Sequence, residues 1–97
     1  MYKIHCELNE DKINSEAIYS LSEMTQTLDK MAHACELKKD YDGWYIGEGE
    51  NSNAFIMALL NTKWFLDNAK EWKLWNLKRN TMEDALDTYN RKKDAYE

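Results

Sequence analysis

Apolar and polar residues alternate along YKIHCEL (2–8): Tyr2, Ile4, Cys6 and Leu8 share one side, and Lys3, His5 and Glu7 the other. A period of two with one apolar face predicts a half-buried β-strand. NEDK (9–12) supplies turn residues. In NSEAIYSL, Ala17, Tyr19 and Leu21 alternate again and favour a returning strand over 15–21, while Ser15 would suit an early helix cap. From Leu21 the period lengthens. Leu21, Met24, Leu28, Met31 and Cys35 follow at steps of 3, 4, 3 and 4, the stripe of an amphipathic helix. Ser20 and Glu23 fit a capping box, in which hydroxyl and carboxylate each satisfy an orphan backbone donor. Lys38 and Lys39 lie at the far end, where the helix dipole favours cations.

KDYDG breaks the helical pattern, and Asp42-Gly43 signals a turn. WYIG follows as a short strand with Trp44 and Ile46 on one face. GEGEN (47–51) could cradle a phosphate at the mouth of a helix, but its loop carries Glu48 and Glu50, and no Lys or Arg lies between Lys39 and Lys63. Those carboxylates suit the positive end of a helix dipole, and Asn51, Ser52 and Asn53 are good N-caps. The segment therefore turns a strand into a helix. AFIMALL is apolar all round, the pattern of a buried central helix, continuing through Trp64 and Phe65 to about Ala69. KEWKLWNLK fits neither period, so its pattern leaves residues 70–79 open between helix, strand and loop; with no Gly or Pro after Gly49 it could simply prolong that helix. NTMEDALDTYNRKKDAYE reads as a last helix capped by Thr81 and Asp84, with Met82, Leu86, Tyr89 and Tyr96 as its stripe. The expected fold is α+β in a single domain, 1–97: a small antiparallel sheet of two or three short strands with three helices, the middle helix buried.

At 97 residues, 43% hydrophobic and 32% charged, the chain belongs to the ordinary globular class. Its longest apolar run, Ala54 to Leu60, is far short of the ~20 residues that cross a bilayer, so no membrane span is expected. Lys3, His5 and Glu7 interrupt the N-terminus, which does not read as a secretory leader. Cys6 and Cys35, without a CxxC, then read as free thiols in a reducing, cytoplasmic setting. The net charge of −5 is uneven: residues 1–50 hold eleven acids against five lysines (−6), and residues 51–97 seven against eight basic residues (+1). That balance argues against direct nucleic-acid binding, which needs a cationic surface, and allows an acidic surface that meets a basic partner.

Chemistry is sparse. His5, Cys6, His33 and Cys35 are the soft metal ligands, but His5 and Cys6 point to opposite faces of a strand, and His33 and Cys35 stand roughly 200° apart on a helix. No metal site and no cofactor is expected from them. No motif pairs a nucleophile with a base, and the acids around Gly43 read as turn formers, so no catalytic residue is assigned. Trp64, Trp72 and Trp75, interleaved with Lys63, Lys70, Lys73, Lys78 and Arg79, would lie within roughly 100° on one helix. They form either core, a stacking platform for single strands, or a self-association patch.

In size, acidity and lack of catalytic motif the chain resembles the small inhibitors that phages direct against host defence, the anti-CRISPR and anti-restriction proteins. A Lys-over-Arg bias of eleven to two and nine Asn fit a mobile element with an AT-rich genome. The resemblance implies a non-enzymatic protein that binds another protein, such as a host nucleic-acid-binding complex, through an acidic face. The matching positions are Glu36, Asp40, Asp42, Glu48 and Glu50. A single-stranded nucleic-acid module using the Trp/Lys segment and a homo-oligomeric structural protein are the alternatives.

Overall fold

The computed structural model describes residues 1–41 and 43–96, and side chains as far as Lys93. The fold is α+β, with five strands and five helices among the described residues. The elements are β1 (Tyr2–Leu8), α1 (Glu10–Glu16), α2 (Leu21–Ala34), β2 (Lys38–Tyr41), β3 (Trp44–Gly47), α3 (Gly49–Leu60), α4 (Lys63–Asn68), β4 (Ala69–Asn76), β5 (Thr81–Asp84) and α5 (Ala85–Tyr96). The strands form one antiparallel sheet in the order β2-β3-β1-β4-β5.

The alternation in β1 sets the layers. Ile4, Cys6 and Leu8 are buried on one face, where they meet Met24 and Leu28 of α2, Phe55 and Leu59 of α3, Phe65 of α4, Tyr45 of β3 and Trp72 of β4. Each large apolar side chain buried there stabilises the fold by about 1.5–3 kcal/mol. Tyr45 ties the layers together, its hydroxyl donating to Asp29 Oδ1 of α2 at 2.6 Å while Lys39 reaches Oδ2 at 3.1 Å. Burial, and then the Asp29 hydrogen bond, pushes the Tyr45 hydroxyl's pKa up.

The capped helix over α2 forms, with the Glu23 N–H on Ser20 Oγ at 3.3 Å; of the expected stripe Met24 and Leu28 are buried and Leu21, Met31 and Cys35 half-buried, while Ala32 joins the core from outside it. Elsewhere the count of two or three strands and three helices is too low. Glu10–Glu16 are a helix: Asn9 caps it by accepting from the Lys12 N–H, and Ala17, in the left-handed region at φ 54°, closes it. Its single buried residue, Ile13, leaves little periodicity to read, and the expected strand over 15–21 does not form. Lys38 and Lys39 lie in β2 instead of serving a helix end, because Glu36 at φ 62° reverses the chain.

GEGEN does turn β3 into α3, but the cap is Glu48, and Asn51, Ser52 and Asn53 are already helical. The side chain of Leu37 fills the space a Cβ on Gly47 would need, so any larger residue there has to displace that buried leucine. α3 is covered on one side only: Met57 and Leu60 remain exposed. It does not run on to Ala69, because polar side chains take up its last carbonyls. Asn61 Nδ2 donates to the Met57 carbonyl and Thr62 Oγ1 to that of Ala58, so the helix ends without Gly or Pro. Most of the ambiguous 70–79 segment lies in β4, paired along the length of β1, which separates the tryptophans expected on one helix face. The last helix starts at Ala85: Asp84 caps it through the Asp87 N–H at 3.0 Å, while Thr81 and Met82 belong to β5.

Candidate functional site

Among the described residues, all of the helices that pack on the sheet pack on the Ile4–Cys6–Leu8 side, which leaves the opposite face open. Register determines what that face displays. One row runs Lys38, Ile46, Lys3, Trp75, Met82 across the five strands, and the next runs Tyr41, Trp44, His5, Lys73, Asp84. A β-bulge at Asp40 brings Tyr41, rather than its neighbour, opposite Trp44. Beyond the second row Glu7 faces Glu71.

The rings on this face touch one another. Trp44 stacks on His5 at 4.6 Å between centroids and meets Trp75 edge-on at 6.4 Å. The Lys3 ammonium lies 5.9 Å from the Tyr41 ring and 5.8 Å from Trp75, and 2.8 Å from Asp40 Oδ2. Tyr41 and Met82, 69% and 53% exposed, flank the cluster. Lys73 approaches Glu71 at 3.8 Å, so two of the face's cations, Lys3 and Lys73, are matched by a carboxylate.

His5 is held most firmly. Its side chain is only 14% exposed, and Nδ1 stands 3.1 Å from the carbonyl of Gly43, which also accepts the Cys6 N–H at 2.7 Å. Gly43 has φ +78°, and a Cβ there would lie 2.9 Å from the Cys6 carbonyl and 3.2 Å from the His5 ring. Only glycine fits both the backbone angle and the gap. Because β3 pairs with only the first half of β1, a cleft of about 320 Å³ opens beside this point, lined by Cys6, Glu7, Leu21, Thr25, Leu28 and Tyr45. Cys6 beneath it is buried, which pushes its thiol pKa up.

The predicted site residues come together only in part. Trp72 is in the core against Phe65, its rings 5.5 Å apart at 89°. Trp64 lines a separate cleft of about 550 Å³ with Ile18, Tyr19 and Lys63, residues of the helices and their connections. Trp75 alone of the three belongs to the open face. The acids split as well. Glu36, Glu48 and Glu50 are exposed around the end of the β2–β3 hairpin that leads to α3, while Asp40 lies toward its tip and Asp42 falls outside the described residues. Of the soft ligands, His33 is exposed on α2 and Cys35 half-buried behind the sheet; neither joins His5. Trp44, Tyr41, Met82 and His5 were missed as a group. The alternation of Trp44 with Tyr45 carried part of that signal; the pairing that unites four strands carried the rest.

The chain matches no known family model, no curated protein and no solved structure. No helix among the described residues is long and apolar enough to cross a membrane.

Proposed function

We propose that the protein is a non-catalytic binding module that seats a protein partner against the open face of its sheet. The observation that carries this reading is the ring cluster Tyr41, Trp44 and Trp75, with Met82 beside it, on a face that no helix among the described residues covers. Aromatic and Met side chains in such a setting are the usual anchors of protein contacts. A polyanion is a poorer fit. The face carries Lys3, Lys38 and Lys73 against Asp40, Glu7, Glu71 and Asp84, and Lys3 is drawn to Asp40. Phosphates need cations that are free to neutralise them.

The finer reading is a cytoplasmic inhibitor of the phage type, acting on a host defence or nucleic-acid enzyme. The net charge of −5 and the exposed Glu36, Glu48 and Glu50 beside the sheet support it, since such an enzyme presents a cationic surface. Affinity capture from a cell lysate tests both levels, using the wild-type protein, a Trp44→Ala/Trp75→Ala variant and a Met57→Ser control on the helix layer. A partner kept by wild type and control, and bound at least about 30-fold more weakly by the ring variant, is expected. Amides at Glu36, Glu48 and Glu50 should flatten the salt dependence of that binding. A partner indifferent to the ring variant, or tight binding of the purified protein to a single-stranded oligonucleotide, would refute the reading. So would a ring-dependent homo-oligomer with no other partner.

A further inference from the structure

We infer that His5, Glu7 and Glu71 bind a divalent transition-metal ion of the zinc class at the end of the open face. The three side chains offer ligand atoms that all lie within 4.8 Å of one another. His5 Nε2 is 3.2 Å from Glu71 Oε2 and 4.0 Å from Glu7 Oε2. Tetrahedral zinc with bonds of about 2.0–2.1 Å sets its ligand atoms roughly 3.3 Å apart. The His5–Glu71 pair already meets that spacing, and Glu7, at 44% exposure, has room to close the remaining gap.

Three independent features point to a cation at this spot. First, the Gly43 carbonyl can only accept, so Nδ1 carries a proton and Nε2 is the nitrogen turned toward the two carboxylates, its lone pair available to a metal in the neutral imidazole. A histidine ligand held through its other nitrogen by a backbone carbonyl is the usual supporting arrangement in metal sites. Second, Glu7 and Glu71 are direct cross-strand partners, and like charges at such a position repel unless something positive lies between them. Third, the imidazole is preorganised. Trp44 covers one ring face with the planes 25° apart, and Gly43 closes against the ring edge. Lys73, 3.8 Å from Glu71 Oε1, engages that carboxylate's other oxygen and leaves Oε2 for the metal. The fourth position is open to water or to a donor from a partner. A proton on Nε2 is the competing way to reconcile the three groups, and the experiment separates the two.

Zn²⁺ is titrated calorimetrically into the full chain, and Co²⁺ is followed by its visible absorption. One ion per chain is expected, bound more tightly than about 1 mM. The Co²⁺ spectrum should show nitrogen/oxygen coordination without a thiolate charge-transfer band. Glu71→Gln should weaken binding at least about 10-fold and abolish the rise in thermal midpoint that Zn²⁺ gives the wild type. His5→Gln should do the same, and Glu71→Gln keeps the test valid if that variant fails to fold. Cys35→Ser and His33→Gln should bind as the wild type does. Failure of Zn²⁺ to saturate near 1 mM, affinity indifferent to Glu71→Gln, or dependence on Cys35 or His33 would overturn the assignment.

Discussion

Trp72 and Trp75 are three residues apart on β4, yet their removal should have opposite kinds of consequence. Trp72 is 2% exposed, pairs across the strand with Cys6 and meets Phe65 edge-on at 5.5 Å. Truncating a buried tryptophan to alanine ordinarily costs about 3–5 kcal/mol. One feature lowers that figure: among the described residues no acceptor meets its indole N–H, and removing a buried unpaired donor recovers about 1 kcal/mol or more. The expected loss is therefore about 3 kcal/mol, out of roughly 5–15 for a domain of this size. Trp75 is half-buried on the open face. Its alanine variant gives up the edge contact with Trp44, the Lys3 ammonium at 5.8 Å and an exposed hydrogen bond to Asn80 at 3.2 Å, together about 1 kcal/mol. At about 4–8 °C per kcal/mol for a chain of this length, the thermal midpoint should fall by roughly 12–24 °C for Trp72→Ala and by roughly 4–8 °C for Trp75→Ala. Denaturant melts at 25 °C, with unchanged m-values as the check on two-state behaviour, give the free energies directly. Equal losses in the two variants, or a Trp72→Ala cost within 1 kcal/mol, would refute the assignment of the two faces of β4.

Gly43→Ala should destabilise the fold by about 1–3 kcal/mol, since it forces an L side chain into positive φ and against the Cys6 carbonyl. NMR should show the slowly exchanging His5 Nδ1–H of the parent lost in that variant. Stability should also fall in alkali. Cys6 and Tyr45, whose ordinary values are 9.0 and 10.0, are pushed up by burial, so above pH 9 the folded state retains protons that the unfolded chain releases. The stabilisation is complete below pH 9 and declines as pH rises, by up to about 1.4 kcal/mol per pH unit for each group. Cys6→Ala should flatten the decline that begins near pH 9 in equilibrium melts, and Tyr45→Phe the part that begins near pH 10.

Where one segment's own pattern carries the information, the sequence is legible. YKIHCEL needs only its alternation to become a strand with Cys6 inward and His5 outward, and α2 needs only its 3-4 stripe and the Ser20 cap. WYIG and the turn at GEGEN likewise declare themselves through local chemistry. β2 and β5, KKDY and TMED, are different. Every residue in them is exposed, and they are strands because β3 and β4 offer unpaired edges to bond with. AKEWKLWN carries apolar residues on both faces, so neither period dominates until β1 pairs with it and sends Trp72 inward and Trp75 outward.

By itself, then, the sequence determined the α+β class, the strand at the N-terminus, the capped helix after it and the acidic balance, because each of these depends on residues within one or two turns of each other. Only the tertiary structure decided which side chains share the open face. Trp44 and Trp75 are brought together by β1, which lies between their strands, and Glu71 reaches His5 across 66 positions of chain through a register that neither strand specifies alone. A pairing register is chosen by the summed burial of the opposite face. The location of the candidate site is thus a consequence of how Ile4, Tyr45 and Trp72 pack beneath it.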